Sequence, residues 1–342
     1  MSSQVLEGEL SSDVTEIVRR LQITLQRNFD VEAKIDNVSV ATLGGSSRTI
    51  LFDLVGAKGI RRLVSRQETY TLDESPFLPP DKQFKLLQLA HRHDVPVAEP
   101  LFEFVAADGL GRGHVVAHVD GETLPKRLLH DIRYAPARRI FVEQAAKILA
   151  RLHAVAPVEA AFLDETADSL DPLKAQMDRY DYYGKPHPAL DFAFRWLEKN
   201  RPEKPQICLV HGDFRNGNMM IDHHGINAVL DWECAHIGDP MADLGWLCTR
   251  SWRFGNDDLH AGGFGTREDL FEAYAAAGGQ PVDTAAVRWW EIFGSLRWAT
   301  LNIMQVHGHL SGVRPSPAFA ACGRNTSLIE HDLLLTIAGR LD

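Results

Sequence analysis

The chain has 342 residues, of which 45% are hydrophobic and 24% charged, a balance typical of globular proteins. Its formal net charge of −10, without any Lys/Arg-rich run, argues against a nucleic-acid-binding surface. No run of about 18 apolar residues occurs, so we expect no membrane partner. The acidic N-terminus without an apolar signal core, and four widely spaced cysteines, predict a cytoplasmic protein with reduced thiols. The sequence leaves the oligomeric state open.

The first part of the chain predicts a β-rich lobe. Its expected elements are a helix over 13–28, strands over 33–42, 49–55 and 60–67, a helix over 81–93, and strands over 101–105 and 114–119. A Gly/Ser-rich turn at 43–48 separates the first two strands. Asp120-Gly121-Glu122 then breaks the pattern. We therefore predict a boundary there, between a first lobe over 1–119 and a second lobe over 120–342.

The second part of the chain predicts mainly helices. They are expected over 135–154, 190–200, 241–251, 267–277, 283–308 and 326–338. Residues 156–187 carry few periodic signals. The fold class is therefore α+β, with a small antiparallel β lobe followed by a larger helical lobe.

The most informative stretch is the polar loop between the apolar runs that begin at Leu209 and end at Ile221. It contains His211, Asp213 and Asn218, and the next apolar run ends on Asp231. Carboxylates can take a proton from a hydroxyl, and carboxylate and amide oxygens can hold Mg²⁺. Asp and Asn also cap local turns, but the joint pattern favours a phosphoryl-transfer site.

Each of these residues has a role to fill in such a site. Asp213 would accept the proton of the attacking hydroxyl or orient that hydroxyl. Asn218 and Asp231 would be the protein ligands of Mg²⁺, a sparse set that suits an ion also held by phosphates and waters.

The wording of the motif resembles the aminoglycoside phosphotransferase and choline kinase-like family, which has a two-lobe protein-kinase-like fold. The resemblance rests on His211-Gly-Asp-x-x-x-x-Asn, on Leu230-Asp-Trp-Glu and on Gly238-Asp-Pro-x-x-Asp-Leu. It is strongest to the branch associated with acyl-CoA dehydrogenases. The resemblance implies transfer of the γ-phosphate of ATP, with Mg²⁺, to a small-molecule hydroxyl. It does not name the acceptor, since choline, homoserine and fructosamine kinases also belong to this family.

The resemblance also implies a nucleotide site in the first lobe. A loop in the Gly/Ser-rich turn would contact phosphates, a basic residue on the third strand would bind them, and the segment before the boundary would contact adenine. The residues so implied are Gly45, Ser46 and Ser47 in the loop, Arg66 on the strand, and Ala117 and Val119 before the boundary. His211 is mainly structural in this family.

One position departs from the family pattern. The acid that usually pairs with the strand cation is replaced by Gln83. Either Glu68 or Asp81 takes its place, or Arg66 is held less firmly. This departure keeps open an alternative, a nucleotide-binding pseudokinase-like regulatory module. A metal-dependent hydrolase using His211 with the two acids is a third reading.

Aromatic residues in the helical lobe are the candidates for an acceptor pocket. They favour a partly apolar alcohol, phenol or acyl-CoA derivative over a polycationic aminoglycoside. The candidates by position are Tyr180, Tyr182, Tyr183, Trp252, Trp289, Trp290, Arg297 and Trp298.

Overall fold

The computed structural model describes residues 12–29, 32–41, 47–57, 59–68, 76–203 and 206–341. The chain divides into two compact units, one of residues 1–121 with 227–234, the other of residues 122–226 with 235–342. The boundary after residue 119 that the sequence suggests stays a prediction. Gly45 and Ser46 lie outside the described residues.

The first unit contains two α-helices and a five-stranded sheet in its described residues. Its elements are α1 (Ser12–Asn28), β1 (Lys34–Val40), β2 (Ser47–Gly56), β3 (Gly59–Glu68), α2 (Pro80–Arg92), β4 (Pro100–Glu103) and β5 (Gly113–Ala117). The strands are ordered β1-β2-β3-β5-β4, and every neighbouring pair is antiparallel.

One face of this sheet is the core of the first unit. Leu21 and Leu25 of α1 cluster with Ile50 and Leu63 of the sheet, and all four are almost completely buried. Because side chains alternate along a strand, Leu63 on β3 points to the face opposite that of Arg66. The hydrophobic face therefore fixes the register that turns Arg66 the other way.

The segment 227–234 belongs to the first unit although it follows much of the second in sequence. The Val229 N–H donates to the Pro96 carbonyl at 2.8 Å, and the Leu78 N–H donates to the Glu233 carbonyl at 2.7 Å. These backbone bonds attach the segment that carries Asp231 to the first unit.

The second unit is mainly helical. Its elements are α3 (Pro125–His130), α4 (Ala135–His153), α5 (Ala167–Leu170), α6 (Pro172–Tyr182), α7 (Pro188–Lys199), β6 (Cys208–Val210), β7 (Met219–Asp222), β8 (Gly225–Val229, whose last residues belong to the first unit), β9 (His236–Gly238), α8 (Met241–Cys248), α9 (Arg267–Ala276), α10 (Thr284–Leu310) and α11 (Pro317–Ile337). β6 pairs with β9, and β7 with β8. The predicted fold class, a small antiparallel sheet and a larger helical part, is confirmed.

Three helices differ from the sequence prediction. α6 lies in the stretch 156–187 that showed little periodicity, yet its start carries two signals, since the Asp171 carboxylate caps it and Pro172 opens it. α11 begins at Pro317 rather than at 326. α8 ends at Cys248 because Thr249, with ψ of 133°, leaves the helical conformation.

Two glycines let α8 and α10 approach closely. A Cβ on Gly245 of α8 would lie 2.5 Å from the Trp290 Cβ and 2.8 Å from the Val287 carbonyl oxygen of α10. A Cβ on Gly294 of α10 would lie 2.6 Å from the Thr249 hydroxyl oxygen. These distances are shorter than van der Waals contact, so a side chain at Gly245 would push the helices apart.

We therefore expect Gly245→Ala to lower the free energy of unfolding by about 1–3 kcal/mol through overpacking. The matched control is Gly308→Ala, also in a helix, where a Cβ would meet the Arg314 Cβ at an ordinary 3.6 Å. That substitution should raise stability by about 0.5–1 kcal/mol. Urea unfolding of both variants measures the difference, and equal stabilisation of the two would contradict the close packing.

Candidate active site

A buried carboxylate holds the start of the polar loop in the second unit. Asp243 on α8 is 0% exposed, and its two oxygens accept from the N–H groups of His211 and Gly212, both at 2.8 Å. The His153 Nε2 lies 3.2 Å from the same carboxylate, and the other ring nitrogen bonds the Tyr274 hydroxyl. The backbone at the start of the loop is thereby fixed.

The pKa of Asp243 reflects this environment. Burial alone would raise the pKa, but the hydrogen bond and charge of His153 and the contacts with His211 outweigh it, so the pKa lies below its ordinary value. Asp243 is therefore an ionised anchor. The neighbouring Asp239 instead accepts from the Met241 N–H at the start of α8 and from the Trp290 indole.

Asp213, the predicted base, is held by three donors. Its Oδ1 accepts from the Trp246 Nε1 at 2.8 Å and from the Arg215 Nε at 3.2 Å, and its Oδ2 accepts from the Asn218 Nδ2 at 2.5 Å. The side chain keeps 19% of its surface exposed. The carboxylate is thus oriented and remains accessible to a reacting hydroxyl.

Asn218, a predicted metal ligand, bonds to Asp213 through its amide nitrogen alone. That nitrogen donates to the Asp213 carbonyl at 3.0 Å as well as to its carboxylate. No hydrogen bond to the Asn218 amide oxygen is found within the part of the chain that the structure describes. An amide oxygen is a ligand type that Mg²⁺ accepts, so the residue fits the predicted role.

His211 lies beneath the loop. Its side chain is 0% exposed, and its Nδ1 accepts from the Asp213 N–H at 3.1 Å. This placement agrees with the structural role that the family resemblance implies. The hydrogen bond from the Asp213 N–H to the His211 ring orients the backbone of Asp213.

Arginine and tryptophan side chains surround Asp213. The Arg215 guanidinium stacks over Trp252 at 4.5 Å, and the Arg297 guanidinium over Trp246 at 4.9 Å. Trp252 lies 5.1 Å from Trp246 by ring centroids. Arg297 also donates to the Gly212 carbonyl. These residues combine positive charge with aromatic surface next to the predicted base.

The acceptor candidates divide into two groups. Trp252, Arg297 and Trp298 belong to the cluster around Asp213, since Trp298 lies 5.1 Å from Trp252. The others have different partners or positions. Trp289 donates to the Leu197 carbonyl, Trp290 to Asp239, the Tyr180 hydroxyl accepts from the His187 N–H, Tyr183 packs on His307, and Tyr182 is 62% exposed.

Sequence reasoning missed Arg215 and Trp246. Arg215 follows Asp213 by two positions inside the motif, so a cation beside the base could have been noticed. Trp246 follows Asp243 by three positions on α8, a spacing that places both on one face of a helix. That the indole reaches Asp213 depends on how α8 lies against the loop, which no local pattern reveals.

In the first unit, Arg66 and Asp231 form an ion pair, with the Arg66 Nη2 2.9 Å from the Asp231 Oδ1. Burial works against the charge of Arg66, but the carboxylates of Asp231 and Glu233 outweigh it and its pKa is raised. Asp231 has a φ of +57°, in the left-handed region that residues other than glycine seldom adopt. The structure thus joins the predicted phosphate-binding cation to one predicted metal ligand.

The acid partner of Arg66 is therefore none of those considered from the sequence. Gln83 donates instead to the Leu78 carbonyl at 2.7 Å. Glu68 and Asp81 both contact Arg112. A carboxylate far away in sequence replaces the expected one.

The other predicted nucleotide contacts lie on the sheet and just after it. Ser47 begins β2 opposite Glu68, and Ala117 ends β5 with its N–H bonded to the Glu99 carbonyl at 2.9 Å. Val119 makes no backbone hydrogen bond to another described residue.

A model of the phosphotransferase enzyme family (APH) matches residues 44–290. The chain belongs to this family. The expected resemblance and the expected class of enzyme, a phosphotransferase, are thereby confirmed.

This phosphotransferase is similar in sequence to proteins linked with acyl-CoA dehydrogenases, as expected. It is 28% identical to mouse acyl-CoA dehydrogenase family member 11 over 71% of the chain and 33% of that protein. It is 26% identical to the probable acyl-CoA dehydrogenase IBR3 of Arabidopsis thaliana, over 75% of the chain and 34% of that protein. The chain thus spans about a third of the length of these relatives.

Solved structures share the protein-kinase-like fold of this phosphotransferase. A Ralstonia eutropha protein assigned to the aminoglycoside phosphotransferases aligns with a TM-score of 0.73 and 21% identity, over 94% of this chain and 98% of that one. The GDP complex of aminoglycoside 2'-phosphotransferase-IIIa aligns with a TM-score of 0.62 and 13% identity, over 92% and 99%. A choline/ethanolamine kinase family protein from Mesorhizobium loti aligns at 0.58 and 16%, over 93% and 95%.

The described residues of this phosphotransferase contain neither a helix that could span a membrane nor a cluster of three metal-ligating side chains. None of its described helices is both long and apolar enough to pass through a membrane. No group of three or more His, Cys, Asp or Glu side chains that could hold a metal is found among the residues 12–341 that are described.

We expect Trp246→Phe to lower phosphoryl-transfer turnover about tenfold, because a hydrogen bond to a charged group is worth about 1.5 kcal/mol and Asp213 loses one. The ring that stacks on Arg297 is kept. The matched control is Trp252→Phe, because the Trp252 indole N–H has no partner among the described residues. Steady-state kinetics of both variants tests this, and an equal effect of the two would assign the loss to ring size.

Proposed function

We propose that this phosphotransferase moves the γ-phosphate of ATP to a hydroxyl of a small molecule, with Asp213 as the base. The observation that carries the proposal is the Asp213 carboxylate, oriented by Trp246, Arg215 and Asn218 and still partly exposed. A carboxylate so held can accept a proton in a defined direction, which is what general-base catalysis requires.

The reaction that we propose transfers the γ-phosphoryl group of ATP to the acceptor oxygen. The acceptor oxygen attacks the γ-phosphorus, the bond from that phosphorus to the β–γ bridging oxygen breaks, and ADP leaves. The hydroxyl proton passes to Asp213 and then to solvent. Asp243 contributes indirectly, because it fixes the backbone before Asp213.

Nucleotide binding is proposed for the first unit. The fork of Arg66 would contact the α- and β-phosphates, and the loop with Gly45, Ser46 and Ser47 would cover them. Ala117 and Val119 would offer backbone groups to adenine. Structures of family members with GDP or ADP bound support nucleotide use.

Mg²⁺ is the proposed metal, and Asn218 and Asp231 are its proposed protein ligands. Their amide and carboxylate oxygens are the donor types that this hard cation prefers. Bound Mg²⁺ supplies positive charge that offsets the charge of the phosphates.

The alternative of a regulatory module without activity was motivated by Gln83. The ion pair of Arg66 with Asp231 argues against this alternative. Arg66 has a carboxylate partner although residue 83 is an amide. We therefore favour the active phosphotransferase.

We expect Asp213→Asn to keep Mg-ATP affinity and to lose turnover by a factor of about 10²–10⁴, because an amide cannot take the proton. Asp231→Asn should instead weaken Mg-ATP binding itself. The control is Asp178→Asn, an exposed residue paired with Lys174, which should change neither. Calorimetric titration with Mg-ATP and an ADP-release assay separate the two effects. Turnover at the wild-type rate in both variants would contradict the assignment.

The acceptor that we propose is a hydroxyl compound with an apolar or aromatic part. The guanidinium groups of Arg215 and Arg297 lie beside Asp213, stacked on indole rings. They would repel a polycation, whereas the rings offer contact to an apolar body.

An ADP-release screen over apolar alcohols, phenols, hydroxyacyl-CoAs and aminoglycosides tests the acceptor class. We expect turnover with a member of the first three classes and at least tenfold less with aminoglycosides, since like charges cost about 1.4 kcal/mol or more at such a site. Turnover confined to aminoglycosides would contradict the acceptor class without touching the role of Asp213.

A further inference from the structure

Gln83 lies in the first turn of α2 and is only 7% exposed. Its Nε2 donates to the Leu78 carbonyl at 2.7 Å, and its own backbone N–H donates to the Pro79 carbonyl at 3.1 Å. The side chain thus closes the turn that leads into α2. A buried amide in such a position needs its partner, because an unpaired one would cost free energy.

Leu78 continues this connection on its other side. Its N–H donates to the Glu233 carbonyl at 2.7 Å. The Leu78 carbonyl therefore accepts from Gln83, and the Leu78 N–H donates to the turn Trp232–Cys234. Two short hydrogen bonds in series connect α2 to the segment that follows Asp231.

Asp231 needs such support because of its conformation. Its φ of +57° is costly for a residue with a side chain and persists only where neighbouring structure enforces it. The Val229 N–H, bonded to the Pro96 carbonyl, fixes the segment before Asp231. The Leu78 bond to Glu233 fixes the segment after it.

We propose that Gln83 is a positioning residue for the Asp231 loop, acting through Leu78, rather than a weakened substitute for an ion-pair partner of Arg66. The side chain that would form the usual ion pair is turned to the Leu78 carbonyl, and Arg66 is paired with Asp231. The proposal rests on the proposed function, since it concerns Asp231 as a ligand of nucleotide-bound Mg²⁺.

The two readings make opposite predictions for Gln83→Glu, which restores the acid usual at this position. If residue 83 were a lost ion-pair partner, the acid would strengthen nucleotide binding. If Gln83 holds Leu78, the acid removes the N–H donor and places negative charge against a carbonyl oxygen. We then expect a loss.

The measurement is the affinity for ADP by calorimetry, once with Mg²⁺ and once with EDTA. The ratio of the two affinities reports the metal contribution and is insensitive to general damage. We expect Gln83→Glu and Gln83→Met each to reduce this ratio about tenfold, since one buried hydrogen bond is lost. Leu78→Pro, which deletes the donor to Glu233, should cause a similar loss.

The matched control is Gln67→Met in β3. Gln67 is also buried in the first unit, 5% exposed, and also donates to a backbone carbonyl, that of Leu110, at 3.1 Å. Its substitution should lower the melting temperature and leave the Mg²⁺ ratio unchanged. Combining Gln83→Met with Leu78→Pro should cause little more loss than either alone, because both break one connection.

The outcomes are distinguishable. A wild-type chain whose ADP affinity does not depend on Mg²⁺ would overturn the proposed function. A wild-type chain with that dependence, together with an unchanged ratio in both Gln83 variants, would overturn only the role of Gln83. A gain in Gln83→Glu, or equal losses with Mg²⁺ and with EDTA, would overturn it as well.

Discussion

The candidate active site depends on the hydrogen bonds that the buried carboxylate of Asp243 accepts. This carboxylate accepts the N–H groups of His211 and Gly212 and contacts His153. Removal of this acceptor would leave two buried N–H groups and a histidine unsatisfied, which costs several kcal/mol. The close packing of α8 on α10, made possible by Gly245, holds the helix that carries Asp243.

From this anchor the orientation of Asp213 follows. Its carboxylate is bonded by Trp246 from the same helix as Asp243, and by Arg215 and Asn218 from its own loop. Helix α8 thus fixes both the backbone before the base and the base itself. Such double attachment gives the preorganisation that a general base requires, because the carboxylate need not reorganise when a hydroxyl arrives.

In the first unit, a carboxylate neutralises the partly buried guanidinium of Arg66. Arg66 finds its carboxylate in Asp231 instead of in α2. This exchange releases residue 83 from carrying charge and makes an amide suitable there. Gln83 then contributes a donor to the turn beside the loop that holds Asp231. The departure from the family pattern is in this view a change of role and not a loss.

Local patterns were sufficient to predict the antiparallel strands, most of the long helices and the presence of Asp213 and Asn218 in one loop. Periodicity and short spacing act over a few residues, and the side chains in question lie five positions apart. The ion pair of Arg66 with Asp231 joins residues 165 positions apart, and the Trp246 bond to Asp213 crosses 33. Such contacts arise from the packing of whole elements, whose hydrophobic faces fix register and approach without marking the polar partners in the sequence. Only the tertiary structure could therefore decide that Arg66 pairs with Asp231 and that Gln83 bonds Leu78.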